Sequence, residues 1–311
     1  MYIIMYHYVR KIIGSKYPNI KGLELIDFKK QIEWLYVNGF QFVTLDDLIN
    51  KENITDKSVL LTFDDGYSDH YQVVFPFLKK CGIQGVFSVP GKLIREKKIL
   101  DVNKIHFILA SANIEIILNR LFAKMNYYRG KEFTFALNKE LYNRFAIANR
   151  FDDKDTIFVK RILQVELPKK VRSLIVNELF SELVTDEETK FADELYMSWD
   201  NIQTMSQNGM CFGIHGYDHF WMNRLTEAEL RNDLNQALDV FDGIIDLKNW
   251  CICYPYGSYN DLVIQISKEM GATSGMGTNV AQYCCEQDDI FKLPRLDTND
   301  FPPRSNNYKQ L

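Results

Sequence analysis

Apolar runs of strand length alternate with amphipathic segments of helix length on both sides of a central stretch of the chain. The runs predicted as strands cover residues 2–8, 58–63, 85–89, 210–214, 250–254, 272–277 and 291–296. Segments with helical periodicity lie between them, over residues 28–38, 67–80, 198–209 and 226–243 and after residue 260. Because parallel strands are joined by crossovers, this alternation predicts an α/β fold with a parallel sheet and helices outside it.

Capping residues support several of these helix boundaries. Ser198 is a predicted N-cap, and Thr226 with Glu229 has the spacing of a capping box. Gly82 is the expected stop of the helix over residues 67–80, in which Pro76 predicts a kink or a late start.

The alternation stops between about residues 92 and 196. Charged sequence with a helical period occupies this stretch, including residues 102–122 and 158–180. We therefore predict a single domain over residues 1–311 with a helical insertion at about 92–196. About seven strand–helix units in one chain favour a closed or nearly closed barrel.

Three short motifs directly follow predicted strands. Thr-Phe-Asp-Asp-Gly occupies residues 62–66, His-Gly-Tyr-Asp-His occupies residues 215–219, and Tyr-Pro-Tyr-Gly occupies residues 254–257. The carboxyl ends of parallel strands meet at one rim, where α/β folds place their sites. We therefore expect the motifs to converge, although they lie far apart in the sequence.

The first two motifs have the chemistry of a one-metal hydrolase. Two imidazoles and one carboxylate form a common ligand set for a catalytic divalent ion. Asp64 and Asp65 point in different directions at a strand end, so one can bind a metal while the other accepts a proton. His215 and His219 can share the cation if their loop makes one helical turn. The alternatives are a solvated turn at the aspartates and two surface histidines.

Composition and charge narrow the range of partners. The 311 residues carry a formal net charge of −4 and the isoelectric point is about 5.8, so there is no basic field for nucleic acid. The first residues lack the features of a secretory signal, and no apolar run approaches the ~18 residues that span a bilayer. We expect a cytoplasmic protein without a membrane span. The six cysteines have neither disulfide nor zinc-ribbon spacing and are expected to be free thiols.

Taken together, the three motifs resemble those of the polysaccharide deacetylases, the NodB-like carbohydrate esterases of the family 4 type. Residues 5–7, Met-Tyr-His, resemble the opening strand of many members, and the resemblance covers about residues 1–90 and 197–300 in the family's motif order. It implies a distorted (β/α) barrel of fewer than eight strands, about seven here. It also implies a hydrolase that removes an N- or O-acyl group, usually acetyl, from a sugar.

The resemblance implies roles for individual residues. Asp65, His215 and His219 would bind a divalent metal ion, with Zn²⁺ expected, and Asp64 would be the general base that deprotonates the attacking water. The backbone N–H of Tyr256 would stabilise the oxyanion of the tetrahedral intermediate.

Tyr254, Pro255 and Tyr217 of the motifs are predicted to bind the substrate. Aromatic faces suit the apolar faces of sugar rings, so Tyr217, like Tyr67, Tyr256, Trp199 and Trp221, could stack on the sugar; packing in the core is the alternative.

The sequence departs from the family pattern at two positions in these motifs. Many members have Ser or Thr after the first metal-binding histidine, whereas Gly216 has no hydroxyl with which to brace the loop. Members often carry an arginine two residues before the motif proline, where this chain has Cys253. Arg295, at the end of a late strand, is predicted to replace it by holding Asp64 ionised, and a surface arginine is the alternative.

A third departure concerns the general acid. Members usually use a late histidine, and no histidine follows His219. His7, at the end of the first strand, is the predicted substitute, since an unperturbed pKa of ~6.5 suits proton donation near neutrality. The alternatives are a proton from solvent, Asp297, or a His7 that only binds backbone or substrate hydroxyls.

Three functions are compatible with this pattern. We favour removal of an N-acyl group from an amino-sugar, in the form of a nucleotide- or lipid-linked intermediate of surface-polysaccharide synthesis. The second is hydrolysis of a small amide, cyclic imide or ureide by the same metal chemistry, for which the missing late histidine argues. The third is a catalytically silent carbohydrate-binding relative; Cys253 supports it, whereas the retention of both Asp64 and Asp65 opposes it.

Overall fold

The computed structural model describes residues 1–131, 133–149 and 152–310. These residues divide into two compact units. The first contains residues 1–11, 22–97 and those from 193 onward, and the second contains residues 12–21 and, with the gaps just given, 98–192. The single domain with a helical insertion over about residues 92–196 remains a prediction, because this division into units does not test it.

The described residues contain short strands with helices between most of them. The strands are β1 (Tyr2–Tyr6), β2 (Val9–Arg10), β3 (Leu23–Glu24), β4 (Gln41–Phe42), β5 (Ser58–Asp64), β6 (Gly85–Val89), β7 (Cys211–Ile214), β8 (Trp250–Cys253), β9 (Ala272–Met276) and β10 (Leu296–Asp297). The α-helices are α1 (Leu25–Val37), α2 (Leu45–Asn50), α3 (Phe75–Cys81), α4 (Gly91–Glu96), α5 (Asp101–Ser111), α6 (Ile114–Tyr128), α7 (Asn138–Phe145), α8 (Lys154–Arg161), α9 (Lys169–Leu183), α10 (Glu188–Leu195), α11 (Trp199–Gln207), α12 (Glu227–Phe241) and α13 (Asp261–Glu269).

Within the described residues, eight strands form one parallel sheet. Its order is β10-β1-β5-β6-β7-β8-β9, and β4 pairs with β5. β2 and β3 form a separate parallel pair. The sheet is curled and most of its strands are connected by helices, which confirms the predicted α/β fold class, a distorted (β/α) barrel of about seven strands.

Residues 293–297 connect the two edges of the curled sheet. The N–H of Leu293 donates to the carbonyl of Gly275 at 2.9 Å, and the N–H of Gly277 donates to the carbonyl of Leu293 at 2.9 Å, so this segment runs beside β9. Three residues later, Leu296 pairs with Ile4 of β1. This segment therefore contacts β9 at one edge of the sheet and β1 at the other, and so forms the last part of the barrel.

The predicted strand over residues 291–296 is wrong in its extent. Residues Ile290–Lys292 form a 3-10 turn, because the Asp289 carboxylate accepts the N–H of Phe291 at 3.0 Å and caps it. Regular pairing with β1 begins only at Leu296.

Most predicted helix boundaries agree with the structure. Ser198 and Thr226 form capping boxes at the starts of α11 and α12, and Gly82 ends α3 with a φ of +68°. The late start predicted from Pro76 is also confirmed, since α3 begins at Phe75 after a π-helical turn over His70–Val74. In contrast, α1 begins at Leu25, three residues before the predicted start.

The core of the first unit is centred on β5 and β6, in which every residue is buried. Burial on both faces is typical of strands in a parallel sheet that helices cover. Because β5 ends at Asp64, an apolar strand carries a carboxylate to a position that is only 2% exposed.

The second unit is helical, and α5 packs against α9 around buried aromatic rings. The ring of Phe191 lies 4.8 Å from that of Phe107 and 5.5 Å from that of Phe180, measured between centroids. Among all described residues, no helix combines the length and the apolar character needed to cross a membrane.

Substituting Gly66 tests the tight turn after β5. Gly66 has a φ of +67°, and a Cβ added there would lie 2.6 Å from Val89 Cγ1. Gly82 has a φ of +68° and open space around an added Cβ. We expect Gly82→Ala to lose about 1–2 kcal/mol of unfolding free energy from the left-handed backbone alone. Gly66→Ala should lose roughly 1–3 kcal/mol more through overpacking. Equal losses in denaturant titrations would contradict the steric argument.

Candidate active site

The three sequence motifs lie together at one edge of the sheet. Asp64 ends β5, His215 directly follows β7, and Tyr254 directly follows β8. These strands lie in the order β5-β6-β7-β8 and are all parallel, so their carboxyl ends share this edge.

Asp65, His215 and His219 form a compact, buried group. Nε2 of His219 lies 3.3 Å from Asp65 Oδ1, and Nε2 of His215 lies 3.5 Å from the same oxygen. One ligand atom from each residue lies within 4.8 Å of the others. Burial raises the pKa of the Asp65 carboxyl, and the two imidazoles lower it by more than burial raises it. The resulting pKa lies well below the usual range of a carboxyl group. Asp65 is therefore an anion at neutral pH.

The uncommitted lone pairs of this group fit a divalent metal ion. Asp65 Oδ1 is buried and has no hydrogen-bond partner in the described part of the chain, while Oδ2 accepts the hydroxyl proton of Tyr67 at 2.5 Å. Nδ1 of His215 lies 2.6 Å from the carbonyl oxygen of Cys253, and a neutral imidazole that donates there would offer the lone pair of Nε2 to a metal ion. A carboxylate with two imidazoles suits Zn²⁺ or a similar ion.

A second set of potential ligands, Asp64, His215 and Cys253, overlaps with the first. In this set both Asp64 oxygens are already bound to Arg295, and His215 directs Nδ1 to the backbone. The group that contains Asp65 offers more uncommitted donor atoms and is the better metal site.

Backbone conformation separates the two neighbouring aspartates. Asp65 has a φ of +74° and Gly66 a φ of +67°. Residues other than glycine are uncommon in this left-handed region. Asp65 therefore faces the histidines, whereas Asp64, still in the strand, faces Arg295.

The segment from His215 to His219 is not a helical turn. Gly216 has a φ of +68° and His219 a φ of +56°, and the segment has no helical assignment. The helical turn that would bring the rings together is therefore absent from this segment, yet the two imidazole centroids are 4.7 Å apart. The rings converge because of two left-handed residues and not because of helical spacing.

Arg295 forms a buried, two-pronged ion pair with Asp64. Nη1 lies 2.9 Å from Oδ1 and Nη2 lies 2.8 Å from Oδ2, and the two side chains are 1% and 2% exposed. Nε of Arg295 donates to the carbonyl of Gly277 at 2.8 Å, and Nη1 also donates to Thr62 Oγ1 at 3.2 Å. This environment excludes the alternative of a surface arginine.

The ion pair sets the charge of Asp64. Burial raises the pKa of this carboxyl, but the Arg295 guanidinium, with smaller contributions from His215 and His7, lowers it to about 2. Cys253 Sγ lies 3.4 Å from both oxygens of Asp64. A thiol is only a weak donor, so Arg295 supplies the countercharge that Cys253 cannot.

His7 lies on the segment after β1 and is half-buried. Its carbonyl oxygen lies 2.9 Å from Nε2 of His70. β1 pairs with β5 with Tyr6 opposite Phe63, so His7 and Asp64 follow at the same edge of the sheet. After burial and the groups with larger effects, the imidazole of His7 is a minor contributor to the lowered pKa of both Asp64 and Asp65. Asp297, the alternative acid, uses Oδ1 to accept the backbone N–H of Asn299 at 2.8 Å.

The residues predicted to contact substrate are buried. Tyr254 is fully buried and donates its hydroxyl proton to the carbonyl of Phe291 at 3.0 Å. Tyr217 is 6% exposed and donates to Glu96 at 2.9 Å, and Pro255 is also buried. These contacts are structural, and binding of substrate by the three residues stays a prediction.

Tyr256, the predicted oxyanion donor, lies beside the histidine group. It has a φ of +59°, and its ring packs edge-on against His219 and parallel to Trp221, with both centroid distances at 4.7 Å. The backbone of Tyr256 is therefore held close to the group that would bind the metal.

Sequence reasoning missed the contact that Tyr67 makes. This side chain is fully buried and stacked on Tyr8, with ring centroids 3.9 Å apart, and its hydroxyl donates to Asp65. A tyrosine two residues after the aspartate is the sequence signal. It does not reveal where the hydroxyl points, because that depends on the left-handed turn at Asp65 and Gly66.

The family described as Polysaccharide deacetylase matches residues 51–116 and 143–275. These ranges cover more than half of the sequence and include both aspartates, both histidines and the Tyr-Pro-Tyr-Gly motif. The chain belongs to this family. Polysaccharide deacetylases are hydrolases that act on carbon–nitrogen bonds other than peptide bonds, and the match confirms the resemblance inferred from the three motifs.

Sequence similarity to an individual protein supports this assignment. The chain is 21% identical over 280 residues to YxkH of Bacillus subtilis (strain 168), which is provisionally named a polysaccharide deacetylase. The alignment covers 89% of this chain and 63% of the length of YxkH.

Solved structures show the same fold at low sequence identity. The deacetylase PplD of Streptococcus pyogenes, in complex with acetate, superposes with a TM-score of 0.60 at 17% identity, covering 100% of this chain and 96% of that one. IcaB from Ammonifex degensii superposes with a TM-score of 0.53 at 17% identity, covering 99% and 97%.

Replacing Tyr67 by Phe removes only the hydroxyl that binds Asp65 Oδ2. Because partners behind the ligands orient them, we expect affinity for Zn²⁺ to fall by about 10–100-fold. Competition between metal-free protein and a chelating dye measures the dissociation constant. Tyr71→Phe is the matched control, since Tyr71 lies on the following turn and stacks on Phe75. An unchanged constant for Tyr67→Phe would contradict the assigned role.

Replacing Arg295 by Met leaves Asp64 as a buried, unpaired anion. Removing one partner of a buried pair typically costs about 3–5 kcal/mol, and we expect a loss of this size in unfolding free energy. Adding Asp64→Asn should restore part of the loss, because an amide needs no countercharge. Arg304→Met, which breaks a partly exposed pair with Asp27, should cost less than about 1 kcal/mol. Denaturant titration of the four proteins tests this, and no recovery in the double variant would exclude the ion pair as the cause.

Proposed function

We propose that this chain is a metal-dependent hydrolase that removes an N-acyl group, acetyl in the first instance, from an amino-sugar. The observation that carries the proposal is the division of labour between adjacent aspartates. Asp65 faces two imidazoles, whereas Asp64 is held separately by Arg295. A protein that only bound a sugar or a structural ion would have no use for the second buried carboxylate.

Asp65, His215 and His219 would hold the divalent ion, and their donor set makes Zn²⁺ the expected one. Such an ion supplies Lewis-acid chemistry, since it polarises an acyl carbonyl and lowers the pKa of water towards ~7. Asp65 would offer Oδ1 to the ion, because Oδ2 accepts the hydroxyl proton of Tyr67.

Asp64 is the proposed general base. The guanidinium of Arg295 fixes its carboxylate and keeps it ionised, with a pKa of about 2. A carboxylate has about four acceptor sites, so lone pairs remain for a water molecule. The low pKa makes Asp64 a weak base, which can take a proton only from a water that is already acidified.

The proposed reaction gives each of the other residues a role. The water oxygen bonds to the acyl carbon, Asp64 takes a water proton, and the backbone N–H of Tyr256 stabilises the oxyanion. His7 gives a proton to the sugar nitrogen as the carbon–nitrogen bond breaks, which releases a carboxylic acid and a free amine. The position of His7 at the same sheet edge as Asp64 supports this role, while the backbone contact of Asp297 makes that residue the weaker candidate.

The choice of an amino-sugar as substrate is supported by the aromatic side chains beside the proposed metal ligands. Trp221 and Tyr256 are stacked and partly exposed, with an interplanar angle of 10°, and Tyr256 contacts His219. Stacked aromatic rings suit the apolar face of a pyranose. With a cytoplasmic location, which we also propose, the sugar would be a nucleotide- or lipid-linked intermediate of surface-polysaccharide synthesis.

Acyl release from a panel of N-acetyl and N-formyl amino-sugars, cyclic imides and small amides tests the proposal. We expect release from the sugars alone, its loss with a chelator, and its recovery with Zn²⁺. Asp64→Asn should lower the rate at least 100-fold, in the range of general-base catalysis, while metal binding persists. Asp56→Asn, at an exposed aspartate, is the control. Release only from imides would overturn the assignment of an amino-sugar as substrate. A metal-loaded protein that is inactive on the whole panel would overturn the proposal that the chain is a hydrolase.

Replacement of His7 by Gln tests the general acid. We expect the rate constant kcat for an N-acetyl sugar to fall by about 100-fold, the lower range of acid–base catalysis, with little change in metal affinity. The loss should be smaller for an activated ester, whose leaving group needs no proton. His106→Gln, in the helical unit, is the control. Near-wild-type rates at every pH would remove His7 from the mechanism.

A further inference from the structure

The loop over residues 215–219 carries two of the three proposed metal ligands, yet it has no regular secondary structure. Gly216 lacks the hydroxyl that many family members have at this position. A loop that must keep two imidazoles in place needs other partners for its backbone groups, because buried N–H and C=O groups are costly when unpaired.

Asp233 of α12 supplies two of these partners. Its Oδ2 accepts the backbone N–H of Tyr217 at 2.9 Å, and its Oδ1 accepts the backbone N–H of Asp218 at 3.1 Å. Both N–H groups lie between the two histidines in the sequence. The side chain is buried, with the residue 4% exposed, so these charge-assisted hydrogen bonds are shielded from water.

The start of α4 holds the opposite side of the loop. The N–H of Gly91 donates to the carbonyl of Gly216 at 3.1 Å, and the N–H of Lys92 donates to the carbonyl of Tyr217 at 3.0 Å. The Lys92 side chain also pairs with the Asp218 carboxylate. The loop is therefore held from two sides. The Asp233 carboxylate accepts hydrogen bonds from its N–H groups, and the first residues of α4 donate hydrogen bonds to its carbonyl groups.

Gly216 and Asp233 depend on one another. A Cβ added at Gly216 would lie 2.8 Å from Asp233 Oδ2 and 3.1 Å from Met222 Cε. A serine or threonine at this position would therefore collide with the carboxylate that now braces the loop. Glycine is the residue that leaves room for Asp233.

We infer that Asp233 is a positioning residue for the metal site, and that it acts from α12 on the loop that carries both histidines. Asp233 bonds to the loop backbone, so it acts through the placement of His215 and His219 and not by direct ligation. The inference rests on the proposed metal site and makes no assumption about the substrate.

Metal affinity of the purified full chain tests the inference. Metal-free wild type, Asp233→Asn and Asp233→Ser are titrated with Zn²⁺ against a chelating dye, and with Co²⁺ to record the visible absorption spectrum. We expect both variants to bind Zn²⁺ about 10–100-fold more weakly, with Co²⁺ bands altered in position and intensity. Asp239→Asn is the control, because this aspartate lies on the same helix and its side chain is 76% exposed.

A double-mutant cycle separates positioning from general stability. Gly216→Ala should weaken metal binding in the wild type by pushing against the carboxylate. The same change should cost less in the Asp233→Ser background, where that oxygen is gone, while the left-handed backbone strain is equal in both backgrounds. If Asp233→Asn fails to fold, Gly216→Ala alone still tests the contact through its Co²⁺ spectrum.

Two results would overturn the inference. One is a Zn²⁺ dissociation constant for folded Asp233→Asn within twofold of wild type with an unchanged Co²⁺ spectrum; the other is a wild type that binds no metal at all. A wild type that binds metal but releases no acyl group would overturn the proposed function instead, and the loss of affinity in the Asp233 variants would still support the inference.

Discussion

The site depends on keeping two adjacent carboxylates ionised although each residue is only 2% exposed. Burial of a charge is costly unless it is paired, and two neighbouring anions also repel each other. The chain meets both conditions by giving each aspartate its own partners. Asp64 has the guanidinium of Arg295, and Asp65 has two imidazoles and the hydroxyl of Tyr67. The left-handed backbone at Asp65 makes this separation possible, because it turns one side chain away from the next.

The countercharge of Asp64 also ties the chemistry to the closure of the sheet. Arg295 lies in the segment that pairs with β9 on one side and continues into the partner of β1 on the other. The ends of β5 and of this segment must therefore be in place before the ion pair can form. The last pairing of the barrel and the ion pair of the proposed general base therefore depend on the same segment.

Two departures from the family pattern are balanced by residues distant in sequence. Cys253 leaves Asp64 without the usual arginine, and Arg295 reaches the same carboxylate from a different strand. Gly216 leaves the histidine loop without a hydroxyl, and the Asp233 carboxylate binds that loop from α12. In both cases the contact comes from a residue outside the motif. Inspection of the motif positions alone would therefore suggest a weaker site than the one the chain builds, and this removes one argument for a catalytically silent relative.

The sequence by itself determined the α/β class, the parallel sheet and the edge at which the motifs meet, because periodicity, capping residues and the position after a strand are local signals. Tertiary structure decided what each side chain at that edge does. His215 and His219 converge without a helical turn, since Gly216 and His219 take left-handed conformations. The contact of Tyr67 with Asp65 depends on the left-handed turn at Asp65 and Gly66, and Asp233 reaches the histidine loop from α12. Arg295 and Asp64 are 231 positions apart, and no local pattern encodes their ion pair because it exists only once the segments that carry them are packed side by side.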